Sequence, residues 1–246
     1  MHPENGDWSD FTRTNYRRLL QIAARTYGLT PVAEFDGSAG AGIWRHDVDA
    51  SPQSALSLAR IESEEGVRAT YYFNLRSEFY NLLEPAVVRI AREIRDLGHE
   101  VGVHFDAAAA DLDSVATLER DLAIERDVLR RLIGVEVASF SFHNPSQRTA
   151  PFAAPTYAGM RNAYAKDLMA RVAYCSDSNG YWRYTPLEEF LRMGHESVCV
   201  LTHPEWWQDE PLSPRERIVR CVEGRAAATL ERYDTLLLVN DRKNVR

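Results

Sequence analysis

Cysteine is scarce in this chain of 246 residues: there are three, Cys175, Cys199 and Cys221, and none is spaced as a CxxC pair. An odd number without paired spacing suggests neither a disulfide framework nor a cysteine-held metal knuckle. Two of the three lie inside apolar runs, where a free cysteine behaves as a small buried hydrophobe. Positive charge is also in short supply. With 29 Lys and Arg against 36 Asp and Glu the formal net charge is -7, which argues against a surface that tracks nucleic-acid phosphates and suits an anionic membrane poorly. Long apolar runs are missing: no stretch approaches the roughly 18 residues of a membrane-spanning helix. The opening Met1-His2-Pro3-Glu4-Asn5-Gly6-Asp7 has neither the basic nor the apolar segment of a secretory leader. These absences predict a cytoplasmic protein with no transmembrane segment and no nucleic-acid partner.

What is present is globular composition, 45% hydrophobic and 26% charged, at a length that suits one domain over residues 1–246. An apolar strand, a polar junction and an amphipathic helix ending at glycine recur along it. Gly42–Asp47 reads as the first such strand, followed by a helix capped at Ser51, opened by Pro52 and ended by Gly66. Ala69–Leu75, Glu100–Phe105 and Val137–His143 read as further strands, and Val172–Ser176, Ser197–His203 and Thr235–Asn240 as weaker ones. Helices are expected from Pro85 to Leu97, from a cap at Asp113 or Ser114 to Gly134, and after Ser213-Pro214. An additional N-terminal helix spans about Ser9 to Tyr27. Strands alternating with helices of this length argue for parallel βαβ units and about seven strands, as in a barrel or an open sheet. The irregular stretch Asn144–Lys166 has the length of a lid or binding loop.

Ionisable residues gather where strands end, the position at which parallel barrels carry their functional groups. The first strand closes on Arg45-His46-Asp47-Val48-Asp49, and its period of two puts Arg45, Asp47 and Asp49 on one face. Others end at His104-Phe105-Asp106, His143-Asn144 and Thr202-His203-Pro204. Singly, each has a plain structural reading: Asp49 as a helix N-terminal charge, His99 as a residue at a helix C-terminus. Together, a carboxylate and two imidazoles form a divalent-metal set that leaves coordination positions open, as in catalytic rather than structural zinc sites. A second carboxylate and a separate histidine then supply a base and an acid.

These residues resemble the NodB-like polysaccharide deacetylases, a carbohydrate-esterase family, over about Ile43 to His203. Arg45-His-Asp-Val-Asp49 stands where the family has a strand ending in paired aspartates, and Gly98-His-Glu-Val-Gly-Val-His104 is similar to its GHEIGxH segment. Leu201-Thr-His203 resembles the motif carrying the general acid, and Tyr174–Trp182 resembles an Asp/Trp motif lining the substrate groove. The resemblance implies an α/β fold, a distorted seven-stranded (β/α) barrel of the polysaccharide-deacetylase type, here with an added N-terminal helix. It implies one divalent metal ion, zinc foremost, held by Asp49 and His104, with Asp47 as base and His203 as acid. The reverse division, Asp47 as ligand and Asp49 as base, is the alternative. Asp177 is expected to orient a site residue, His203 or Arg45, while Arg45 and Trp182 are expected to meet substrate.

The chain departs from the family at Ala108, where a second metal histidine usually stands, in the Val48 spacer between the aspartates, and at Phe142-His143-Asn144-Pro145, which replaces an Arg-x-Pro-Tyr segment. His143, the last residue of its strand on the face of Ser139 and Ser141, is the candidate third ligand. Asp106 is its rival, and a hydrogen bond to the Asn144-Pro145 turn is the plain alternative for His143. The activity implied is metal-dependent removal of an acetyl group from an N-acetyl sugar or glycan precursor. A metal-dependent amidase acting on a small non-sugar amide or cyclic ureide, and a non-catalytic carbohydrate-binding descendant, are the other readings. Oligomeric state is left open.

Overall fold

The computed structural model describes residues 8–110, 112–182 and 184–245; the opening Met1–Asp7 segment read above lies outside these. In chain order it contains α1 (Arg13–Thr26), β1 (Gly28–Thr30), β2 (Ala41–Val48), α2 (Pro52–Glu64), β3 (Thr70–Phe73), α3 (Pro85–Asp96), β4 (Glu100–Phe105), α4 (Val115–Ile133) and β5 (Ser139–Phe142). There follow β6 (Thr156–Tyr157), β7 (Met160–Asn162), α5 (Lys166–Met169), β8 (Ala173–Ser178), β9 (Tyr181–Trp182), α6 (Leu187–Arg192), β10 (Val198–Thr202) and α7 (Pro214–Val239).

The sheet order is β6-β7-β5-β4-β3-β2-β10-β8-β9, with β1 beside β2. Every ladder from β7 to β8 is parallel, so seven strands make the distorted barrel expected, while β6 and β9 only add antiparallel tips. All eight residues of β2 are buried, the signature of a strand covered on both faces. One face packs under the helices in the large core of Trp44, Tyr71, Phe73, Val103, Phe140 and their neighbours. The other packs inside the barrel around Ile43, Tyr72, Cys199 and Leu168. The barrel is filled tightly at Gly102, where a Cβ would stand 2.5 Å from the Tyr72 ring and 2.7 Å from the Ser139 carbonyl oxygen. No larger residue fits there.

Helix ends follow their local chemistry. Ser51 Oγ accepts the Ser54 N–H with Pro52 at the first position of α2, and Ser114 accepts from Thr117 at the start of α4. Gly134 closes α4 at φ 78°, a left-handed conformation that costs glycine little. Ser213 and Glu216 form a reciprocal capping box at the start of α7. That helix corrects one expectation. Thr235–Asn240 is not a strand but the end and cap of α7, because the Ala- and Arg-rich run before it propagates helix through a β-branched, leucine-rich segment that no sheet neighbour claims. The long stretch after Asn144 is partly organised: β7 pairs with β5, and β6 folds back on β7 as a hairpin.

A buried polar network ties the N-terminal helix to the back of the sheet. Glu62 of α2 accepts hydrogen bonds from Tyr16 Oη, from Tyr71 Oη at 2.6 Å, and contacts His46 Nε2 at 2.6 Å. Trp44 Nε1 donates to Tyr16 Oη at 2.8 Å. His99 is structural, as expected: Nδ1 accepts from the Ala69 N–H and Nε2 donates to the Ala59 carbonyl.

Candidate metal centre and its cleft

Register fixes which side chains enter the barrel mouth. Asp47 lies beside Tyr72, Tyr72 beside Gly102, and His104 beside Ser141, so Asp47, His104 and Ser141 share the interior face. Asp49 follows two residues after Asp47, His143 two after Ser141, and His203 directly after the end of β10. Asp47, Asp49, His104, His143 and His203 line one cleft of about 640 Å³, together with Asn144, Tyr164, Tyr174, Asp177 and Trp206.

Three donor atoms converge in it. Asp49 Oδ1 lies 3.1 Å from His104 Nε2 and 3.2 Å from His143 Nδ1, and the two nitrogens are 3.1 Å apart. Ligands bonded to one ion at about 2.0–2.1 Å each have spacings of this size. Buried Asp49 Oδ1 makes no hydrogen bond of acceptable geometry despite both neighbours, as befits an atom aimed at a shared centre. Burial opposes ionisation of Asp49, but His104, His143 and His203 overcome it and hold the carboxyl well below its ordinary range. The residues present therefore fit a divalent ion. Asp106, the rival third ligand, is outside the cluster: its Oδ1 accepts the Ala108 N–H at 2.9 Å and turns the chain away.

The plain alternative for His143 is also part of the structure. As placed, Asn144 Nδ2 lies 2.8 Å from His143 Nε2, with Asn144 at φ 47°. In that orientation the amide donates to Nε2 and leaves the proton on Nδ1, toward Asp49. Turning the amide over presents its oxygen to an Nε2–H and frees the Nδ1 lone pair. His104 Nδ1 is buried without a partner among the described residues, so its ring lacks the anchor metal-ligating histidines usually have.

Two carboxylates flank the triangle with different partners. Asp47 is 2% exposed and receives Arg45 Nη2 at 2.9 and 3.0 Å on its two oxygens, with Ser141 Oγ 3.3 Å from the second. Burial alone would raise its pKa; the Arg45 charge, helped by His104 and His203, lowers it below the usual value. Asp177 binds His203 twice, Oδ1 at 2.5 Å from Nδ1 and Oδ2 at 2.9 Å from the main-chain N–H. Of the two partners expected for it, Asp177 bonds His203, while Arg45 bonds Asp47. Nε2 of His203 then faces the cluster, 3.7 Å from Asp49 Oδ2. Burial disfavours the imidazolium, yet Asp177 overrides it and raises the His203 pKa well above the ordinary imidazole value.

Two expected substrate contacts are corrected. Arg45 is fully buried beneath Asp47, packed on the rings of Tyr72 and Tyr164 at 5.1 and 4.7 Å, and does not line the cleft. Its position two residues before Asp47 on one strand face makes it the carboxylate's partner rather than a surface contact. Trp182 stacks on Phe11 at 5.0 Å and tilts against Trp207 at 6.3 Å, inside the core rather than in the cleft. The aromatic groups that do line the cleft are Tyr164, Tyr174 and Trp206. Tyr164 lies in the irregular stretch, where no periodicity marked it. Glu205, two residues past His203, was also unmarked; burial, then the Asp49 charge, pushes its carboxyl up to about 8.

No protein-family model matches the chain, and no curated protein sequence does. Its fold is similar to solved structures of the CE4 family. A CE4 family pseudoenzyme from Bacillus anthracis is 15% identical with a TM-score of 0.47, over 79% of this chain and 65% of that one, so this chain spans about two thirds of that protein. The chitin deacetylase of Colletotrichum lindemuthianum is 18% identical with a TM-score of 0.44, over 79% of this chain and 86% of that one. The catalytic domain of peptidoglycan N-acetylglucosamine deacetylase from Eubacterium rectale is 14% identical with a TM-score of 0.47, over 75% and 84%.

Proposed function

We propose that the chain is a metal-dependent hydrolase that removes an acetyl group from an N-acetyl sugar or glycan precursor. The observation carrying this reading is the triangle of Asp49, His104 and His143 donor atoms at 3.1–3.2 Å, set between an ionised Asp47 and an Asp177-backed His203. A divalent ion held by those three residues, zinc foremost, would supply Lewis-acid polarisation of the amide carbonyl and a more acidic water.

The chain's own residues do the proton work. Asp47, kept ionised by Arg45, accepts a proton from the attacking water. His203, kept protonated by Asp177, donates its Nε2 proton to the nitrogen as the C–N bond breaks. Water and amide are consumed; acetate and an amine leave. The faces of Tyr164, Tyr174 and Trp206 give the cleft flat apolar walls beside polar groups, a lining suited to a sugar ring.

The test is acetate release from a panel of N-acetyl sugars by protein loaded with zinc, cobalt or manganese, with cyclic ureides and imides as a second panel. Turnover of the sugars supports the proposal. Turnover confined to the second panel replaces it with the small-amide amidase, and metal binding without turnover of either leaves a binding protein.

A further inference from the structure

A second cavity, of about 400 Å³, shares no lining residue with the cleft that holds Asp49 and His104. It lies where α7 meets the N-terminal ends of α2 and α3, and its walls are cationic. Arg13, Arg220, Arg225 and Arg232 line it, against the single carboxylate of Glu84. Arg13 is occupied by Asp209 at 2.9 Å, while Arg225 and Arg232 close on Glu84 at 2.6 and 3.2 Å. Arg220 has no ion-pair partner among the described residues. Counting Asp209 as well, four guanidinium groups face two carboxylates, an excess of two positive charges in a chain whose net charge is -7. The local sign is opposite to that of the whole protein, so composition does not explain it.

The backbone adds to the same field. Glu84 is the N-cap residue of α3, but its side chain accepts no hydrogen bond from the helix. Its carboxylate is drawn to the two arginines instead. The Ala86 and Val87 amides of α3, both in residues lining the cavity, are therefore left without a side-chain cap at the positive end of the helix. Gln53, in the first turn of α2, lines the wall beside them.

We propose that this cavity binds a tetrahedral oxyanion, either inorganic phosphate or the phosphate group of a small organic ester. Arginine forks match phosphate oxygens in pairs, and free helix N-terminal amides complete the coordination. Carboxylates present only two oxygens in one plane and match the arrangement less well.

Isothermal titration at constant ionic strength tests it, using inorganic phosphate and, separately, glycerol 3-phosphate. Saturable binding is expected. Arg220→Ser removes one charged donor and should weaken it by about tenfold or more. Gly224→Glu places a carboxylate in the cavity wall and should abolish it. A Cβ at Gly224 meets nothing within 4 Å, and replacing a helix-interior glycine does not cost stability, so this variant stays folded. Tighter binding of the ester identifies the organic phosphate as the ligand; equal binding identifies the free anion, and both uphold the site. Absence of saturable binding, binding unchanged in both variants, or binding lost in His104→Ala but kept in Gly224→Glu overturns it.

Discussion

The Asp177 carboxylate holds His203 by two bonds at once, one to the ring Nδ1 and one to the main-chain N–H of the same residue. Such a grip fixes ring orientation as well as charge. The raised His203 pKa keeps the acid loaded at neutral pH, so loss of that proton is expected to cut turnover on the alkaline side. Asp177→Asn removes the carboxylate that raises the value. The alkaline limb of the kcat profile should then move toward lower pH; an unmoved limb would remove Asp177 from this role.

Asp49→Ala and His104→Ala are each expected to lower bound divalent metal from about one ion per chain to a small fraction, measured by elemental analysis after dialysis. His143→Ala should do the same and Asp106→Ala should not, because Asp106 spends its carboxylate on the Ala108 N–H. Retention of full metal by His143→Ala, with loss in Asp106→Ala, would reverse the ligand assignment.

Asp47→Asn should keep the fold and the metal while turnover drops about 10²–10⁴-fold, the usual contribution of a general base. The amide still accepts from Arg45 but cannot take up a proton. A variant that loses metal with its activity would mean that Asp47 and Asp49 divide the two tasks the other way.

Trp182→Ala should cost about 3–5 kcal/mol of stability in denaturant titration, since it empties a site packed between Phe11 and Trp207. In the surviving folded fraction KM should be unchanged. Trp206→Ala, by contrast, removes a cleft wall and should raise KM.

Glu125 provides a stability test away from the cleft. It is buried on α4, paired with Arg76 at 2.8 Å, and burial raises its carboxyl to about 7. Since the folded value exceeds the unfolded value of about 4.3, the protonated folded state is favoured. Its stabilising contribution is full at pH 4 and is lost as pH climbs through 7. Glu125→Gln should therefore flatten that decline, by on the order of 1–3 kcal/mol at pH 8 relative to pH 4. An identical pH dependence in parent and variant would show that another group sets the slope.

Much of this was legible in the sequence because strand ends and helix caps are local events. Ser51-Pro52, Ser114 and Gly134 mark their boundaries by chemistry that acts within one turn, and the period of two placed Arg45, Asp47 and Asp49 together. The same period already implied that Arg45 and Asp47 touch, although Arg45 was assigned to substrate. The two tryptophans were not separable: Trp182 and Trp206 differ only in which long-range neighbours cover them, Phe11 in one case and the open cleft in the other. Glu62 was invisible for the opposite reason. A glutamate in an amphipathic helix is ordinarily solvated, and only residues distant in sequence, such as Tyr16 and Tyr71, make its burial tolerable.

That buried glutamate has a consequence for where the protein can be cut. A fragment beginning at Gly28 would retain every strand of the sheet and every residue of the metal cluster. It would lack Tyr16, which bridges Trp44 and the Glu62 carboxylate and stands beside the His46 ring. Glu62 would then keep its charge beside a newly opened groove with one hydroxyl donor fewer, and the groove would expose the Trp44 and Trp207 rings that Tyr16 now packs against. Such a truncation is expected to yield insoluble or dye-binding material rather than a smaller folded protein. The first helix thus belongs to the minimal heritable unit of the fold, even though it contributes no atom to the cleft.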